Sequence, residues 1–217
     1  MIQSKSPPFT LYEYRISPFC IAIRIALHEC KASFTPRDVD LKKPRTVAFL
    51  RRSPFGRLPA LVEHRASGEL SIFESTAILL FLSERFPKST LGFSDLFSKA
   101  QGLSWLSFIS GGFSEIIWNI LNESFINKPK NASNTKIICN KMLLILEKQL
   151  KVLERHLARR AYLSGDYSIA DTLATPILDL LDKIQNFEFN AYPYVFSWRK
   201  RLRSRISYKG AWPYLKT

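Results

Sequence analysis

The stretch FTLYEYRISPFCIAIRIALHECKASFTPRDVDL, residues 9–41, carries the first structural signal of the chain. Its opening, FTLYEYRI, is aromatic and β-branched with rough alternation, the pattern of a strand. Ser17-Pro18 then opens a helix. Serine suits the N-cap, and proline suits the first helical position because the N–H it lacks would have no partner there. The run FCIAIRIALHECK places Phe19, Ile23, Ala26, Leu27 and Cys30 on one helical stripe. Residues 34–41, FTPRDVDL, form a second strand whose early Pro36 predicts an edge position. Strand, helix and strand in this order make a βαβ unit with parallel strands.

Downstream, residues 45–52 read as a short basic helical turn, and Pro54-Phe55-Gly56 is turn chemistry. LPALVEH is a third strand entered through Pro59, and ELSIFE a fourth, joined to it by a hairpin-like Arg65-Ala66-Ser67-Gly68. A helix capped by Ser75 follows, with Ile78, Leu79, Leu82 and Phe86 on one face, and stops at Pro87. The order is βαβ, then ββα.

Everything after Pro87 is helical in period. Apolar positions recur through residues 94–124, and SFINKPKNASNTK, residues 124–136, is a polar loop. Residues 135–160 repeat Ile138, Met142, Leu146, Leu150, Leu153 and Leu157 at spacings of three and four, an amphipathic helix. A helix over 168–186 begins with Ser168 as N-cap and Asp171 three residues on, a variant of the capping box, with Pro176 inside to bend it. A final helix covers about 192–205. The expected domains are residues 1–87 and 94–217, with 88–93 as the linker.

At 217 residues and 46% hydrophobic, the chain can bury one large core or two small ones. Three widely spaced cysteines argue against a disulfide framework, and three histidines without ligand spacing argue against a metal site. Neither a membrane-length apolar run nor a secretory signal pattern is present, so the expectation is a soluble cytoplasmic protein. The net charge is +14, and beyond Glu188 the chain has no acid but seven bases. Such a surface attracts anions in general, from nucleic acid to small carboxylates.

Four motifs in register then resemble one family. SPFC at 17–20, SPFGRLPAL at 53–61, FESTAILLFLSERFP at 73–87 and LSGDYSIAD at 163–171 look like those of the soluble glutathione S-transferase superfamily, with omega-like features in the first two. The resemblance covers residues 9–209. It implies an α+β architecture, a thioredoxin-like βαβ–ββα domain followed by an all-α domain, and a dimer. It also implies a detoxification enzyme with glutathione as co-substrate and no metal.

The resemblance assigns the site residue by residue. Pro59 would be cis, which turns the backbone of Leu58 toward glutathione so that it pairs with the peptide like an added strand. Glu74 and Ser75 would receive the γ-glutamyl end, helix N–H groups and the hydroxyl taking its carboxylate. Arg45 stands where relatives hold the glycine carboxylate with a lysine, and Arg57 is a second anion contact. Both arginines also read as solvated members of a basic stretch. Ser17 stands where serine-type transferases donate a hydroxyl to the glutathione thiolate. An unperturbed thiol, with a pKa of about 8.5, is only a few per cent ionised at neutral pH. Cysteine-type relatives carry the nucleophile at the Ser17 position, so Cys20, one helical turn later, is either a small core residue or a redox thiol. Tyr14, Phe108, Phe113 and Trp118 either wall the second-substrate pocket or belong to the core.

Three readings follow. One is a transferase in which Ser17 activates glutathione for attack on an apolar electrophile or a hydroperoxide, with peroxidase activity on the side. Another is a non-catalytic module of the same fold that binds nucleic acid or an acidic partner through residues 199–209. The third is a redox enzyme dependent on Cys20. Retention of Leu58-Pro59 and Glu74-Ser75 favours the first.

Overall fold

The computed structural model describes residues 8–125 and 132–212. The chain divides into two compact units, Met1–Gly92 together with Arg205–Thr217, and Phe93–Ser204.

The first unit is built on a four-stranded mixed sheet in the order β2-β1-β3-β4, where β1 is Phe9–Glu13, β2 Phe34–Asp38, β3 Ala60–Arg65 and β4 Gly68–Phe73. β1 and β2 run parallel, and β3 is antiparallel to both of its neighbours, β1 and β4. β2 is an edge strand, as Pro36 predicts, since proline has no N–H to give a second neighbour. Helix α1, Pro18–Glu29, connects β1 to β2, α2, Val47–Leu50, follows β2, and α3, Ser75–Arg85, follows β4.

The stripe expected on α1 is an underestimate. Every residue from Cys20 to Leu27 is buried, Arg24 among them. The reason is the return of the chain end: α9, Ile206–Ala211, packs on α1, where Tyr208 and Ala211 join Ile21 and Ile25 in one cluster flanked by Trp212. With α9 on it, α1 has almost no solvent face left.

In the second unit α4, Leu96–Phe108, and α5, Ser114–Phe125, are joined by a five-residue π-helical turn, Ile109–Phe113, where the sequence period suggests an unbroken run. The turn contains Gly111-Gly112, and π-helical insertions of this kind recur at functional sites. Helix α6, Ala132–Leu157, begins inside the expected loop, so residues 132–136 are helical, while 126–131 lie outside the described residues. Helix α7, Ile169–Asp179, is buried along its whole length and passes through Pro176 before tightening into a 3-10 turn at Leu180–Lys183. The tail helix expected over about 192–205 is α8, Pro193–Ser204; it ends where Arg205 takes an extended ψ of 141°, and a further short helix, α9, follows it.

Ser168 and Asp171 form the capping box expected of them. Asp171 is completely buried and accepts from Leu163 N, Ser168 N, Ser168 Oγ and Trp198 Nε1 at 2.9–3.1 Å. One carboxylate thereby ties the 163–168 loop, the start of α7 and the middle of α8. Gly102 is required by space: a Cβ there would lie 2.0 Å from the Phe93 ring.

The basic C-terminal stretch is spent on structure. Arg199 and Arg203 both pair with Asp179 and Asp182, Arg201 donates to the Ala161 carbonyl at 2.8 Å, and Lys200 lies over the Phe196 ring. Arg205 forks onto Glu29. Arg199, Arg203 and Arg205 thus meet acids distant in sequence, which weighs against a free cationic surface over residues 199–209. Among the described residues no helix is long and apolar enough to cross a membrane, and no group of three or more His, Cys, Asp or Glu is placed to hold a metal ion.

Candidate glutathione site

The sheet register explains how distant motifs converge. Ala60 is aligned with Tyr12 on one side and Phe73 on the other. The residues just beyond these three positions therefore leave the sheet at the same end. They are the Tyr14–Ser17 turn after β1, Leu58-Pro59 before β3, and Glu74-Ser75 after β4. β2 runs parallel to β1, so the segment that follows it and carries Arg45 leaves from that end too.

Ser17 closes a tight turn in which its N–H donates to the Tyr14 carbonyl at 2.9 Å. It holds the N-cap position of α1 with φ −68° and ψ 125°, but its side chain makes no cap hydrogen bond. The expectation that Ser17 caps α1 through its hydroxyl is thus corrected. Pro18 has no N–H to be satisfied, and the hydroxyl turns toward the Cys20 sulfur instead. The side chain is half-buried, and the first-turn N–H groups of α1 beside it bring the positive end of the helix dipole.

Cys20 is completely buried, and burial pushes its thiol up to about 11, against hydrogen bonds from the Tyr14 backbone and the Ser17 hydroxyl. A thiol in that state is a core residue rather than an attacking group. Cys30 is likewise pushed up to about 11 by burial.

The Leu58–Pro59 peptide bond is cis. No backbone hydrogen bond takes up the N–H or the carbonyl of Leu58 among the described residues, so both are free to pair with an extended peptide. The preceding turn is rigid. Ser53 Oγ donates to the Arg57 carbonyl at 2.8 Å, and Gly56 N–H to the Ser53 carbonyl at 2.8 Å.

Gly56 has φ +65°, and a Cβ on it would meet Arg45 Cγ at 3.1 Å. Arg45 is fastened there: its Nε donates to the Gly56 carbonyl, and Nη1 to the carbonyls of Asp40 and Lys43, all at 3.0 Å. These bonds leave Nη2 as the one nitrogen of its fork without a described partner. Arg57 is exposed, and among the described residues its side chain has no hydrogen-bond partner.

Glu74, not Ser75, is the N-cap of α3, and it makes no side-chain cap bond. Its φ of 66° is the left-handed region that a glutamate rarely adopts, and such conformations cluster at binding sites. Ser75 becomes the first helical residue, 7% exposed, with no hydroxyl partner among the described residues. The start of α3 therefore presents uncapped N–H groups, a free hydroxyl and an exposed carboxylate together. That combination suits a group carrying both a carboxylate and an ammonium.

The aromatic candidates divide. Phe113 is completely buried, and Phe108 rests 5.8 Å from it, ring to ring. Tyr14 is 39% and Trp118 50% exposed, so these two meet solvent. Of the two alternatives open to Phe113, its burial favours the core.

The buried pair Glu13–Arg24 escaped the sequence reading. Glu13 is completely buried at the end of β1, where alternation alone suggests an ordinary strand end, and Arg24 sits among apolar neighbours on α1. An acid and a base on the two arms of a βαβ corner are the only hint the sequence offers.

This geometry agrees with the comparisons. The chain matches the family descriptions "Glutathione S-transferase, N-terminal domain" over residues 7–84 and "Glutathione S-transferase, C-terminal domain" over residues 123–205. It belongs to the glutathione S-transferase family. It is 32% identical to the disulfide-bond oxidoreductase YfcG of Escherichia coli, over 84% of this chain and 85% of that protein. It is 28% identical to glutathione S-transferase 4 of Zea mays, covering 92% and 90%. The solved structure of Ure2p in complex with glutathione superposes with a TM-score of 0.85 at 26% identity, covering 97% of this chain and 95% of that one.

Proposed function

We propose that the protein is a glutathione transferase in which the Ser17 hydroxyl rotates away from the Cys20 sulfur to donate to the glutathione thiolate. Leu58 pairs with the cysteinyl backbone of glutathione, and Glu74 and Ser75 with the α3 N–H groups hold its γ-glutamyl end. Arg57 and the free nitrogen of Arg45 face the glycine carboxylate. The ionised thiol then attacks an apolar electrophile or a hydroperoxide. Donation from Ser17 and the α1 dipole favours the thiolate over the thiol, which raises the reactive fraction at neutral pH. Residues 1–87, joined by the returning helix α9, serve as the glutathione-binding domain, 88–93 as linker and 94–204 as the helical domain of a cytoplasmic homodimer. Tyr14 offers an exposed ring to the second substrate.

The observation that carries this reading is the Ser17 hydroxyl, which stands at a helix N-terminus without being used to cap it. Calorimetric titration of glutathione into the protein, with Ser17→Ala and Glu74→Ala alongside, tests it. One-site binding weakened by Glu74→Ala is expected. No binding at millimolar glutathione would remove the reading.

A second reading, thiol–disulfide exchange, draws on the activity in the name of the Escherichia coli relative. Cys20 is not suited to lead it, being enclosed and protonated. Exchange would instead use the thiolate of glutathione itself, activated by Ser17 and attacking a disulfide sulfur.

A further inference from the structure

The turn that presents Ser17 is exposed at Tyr14, Arg15 and Ile16, yet it is fastened on both sides. Outside, Arg15 Nε donates to both carboxylate oxygens of Asp38 at 2.8 and 2.9 Å. Inside, Glu13 and Arg24, eleven residues apart on the two stems of the turn, form a fork-to-fork pair. Arg24 Nε meets Glu13 Oε2 at 2.5 Å, and its Nη2 meets Oε1. The remaining nitrogen, Nη1, donates to the Ala211 carbonyl of α9 at 3.3 Å. Glu13 is held from its other side by its own carbonyl, which accepts from Val39 N–H at 2.8 Å.

An ion pair taken out of water is a weak source of stability, because desolvation offsets most of the attraction. Its geometric consequence is stronger. A planar fork fixes both distance and orientation, which a pair of apolar side chains would not. The fork here sets how the end of β1 meets the second turn of α1, and Ser17 lies between those two points.

We infer that Glu13 and Arg24 are positioning residues for Ser17, and that α9 takes part through the Ala211 carbonyl. The pair keeps the Ser17 hydroxyl at the place where the glutathione sulfur arrives. The inference rests on the Ser17 reading above and deepens it.

The test is a double-mutant cycle read as a pH profile. kcat/KM for a glutathione conjugation is measured against pH for the full-length protein, Ser17→Ala, Glu13→Gln and the double variant. Circular dichroism confirms folding, and glutathione affinity is measured by calorimetry. Arg24→Lys, which keeps the charge but loses the fork and the reach to Ala211, provides a second cycle where Glu13→Gln does not fold. The expected result is a tenfold or greater loss for Glu13→Gln at about neutral pH. Its acid limb moves toward the free thiol value of about 8.5, and glutathione affinity is nearly unchanged. Neither effect recurs in the Ser17→Ala background. Loss that adds fully to that of Ser17→Ala, or an unmoved acid limb in a folded variant, overturns the inference and leaves the Ser17 reading standing. An unmoved limb in Ser17→Ala itself overturns both.

Discussion

Arg205 grips Glu29 across 176 residues of sequence, with Nε on Oε1 at 2.6 Å and Nη2 on Oε2 at 2.8 Å. Ser207 Oγ donates to Oε1 at 2.5 Å, and Thr90 Oγ1 to Oε2 at 2.7 Å. Burial would raise the Glu29 carboxyl, but these donors outweigh it and hold the group below its ordinary value. The last described helix is thereby part of the sheet-containing unit.

Arg205→Ala should therefore destabilise that unit. Two charge-assisted bonds are lost and a largely buried carboxylate loses its main partner, a cost of about 2–3 kcal/mol. Chemical denaturation followed by a probe in the first unit would measure it. The contribution has a sign in pH. A depressed carboxyl stabilises above its unfolded value of about 4.3 and loses that effect as pH falls through the lower folded value. Below that range the variant and the parent should converge.

Asp171 titrates in the opposite sense. Its pKa is raised to about 6, with burial as the main cause, against donors from Leu163, Trp198 and Ser168. The folded state therefore holds this proton where the unfolded chain, near 3.9, has released it. Its stabilising effect is complete below about pH 4 and fades as pH rises through 6. Asp171→Ala strands four buried donors and should cost about 3–5 kcal/mol or prevent folding, with glutathione binding lost only in step with the fold. Thermal denaturation across pH, on parent and Asp171→Asn, checks the sign.

Ser17→Ala should lower kcat/KM about 100-fold at neutral pH, the scale set by removing one donor to a developing anion. The loss should shrink as pH approaches that of free thiol ionisation, about 8.5. Stopped-flow spectroscopy of bound thiolate would separate this from a loss of affinity.

The three thiols should label in a fixed order. Cys139 and Cys30 are partly accessible, and Cys20 is enclosed and protonated. Mass spectrometry after brief alkylation should find Cys20 unmodified until denaturant is added. Early modification of Cys20 would revive a redox role for it.

Nucleic acid binding through residues 199–209 should be weak and lost at moderate salt, since four of the arginines there are already engaged within the fold. Filter binding at two ionic strengths suffices to test it.

Much of the architecture is legible in the sequence. The period-2 and period-3.6 runs, with Pro36, Pro59 and Pro87 as punctuation, place the four strands and the order βαβ–ββα, because these signals depend only on neighbours in sequence. The capping box Ser168–Asp171 was readable for the same reason. Its partner Trp198 was not, since that bond joins residues 27 apart.

Local order along the chain sets which residue types stand at the mouth of the site: a serine after the first strand, Leu-Pro before the third, and Glu-Ser after the fourth. What each is free to do follows from the folded arrangement around it. Ser17 leaves α1 uncapped, Glu74 takes over the cap position from Ser75, and Arg45 is fastened to three backbone carbonyls. The acid-poor tail finds its acids in Asp179, Asp182 and Glu29. The physical reason is common to all of them. A side chain's availability depends on which donors and acceptors lie within about 3 Å. Folding, not sequence adjacency, brings most of those partners close.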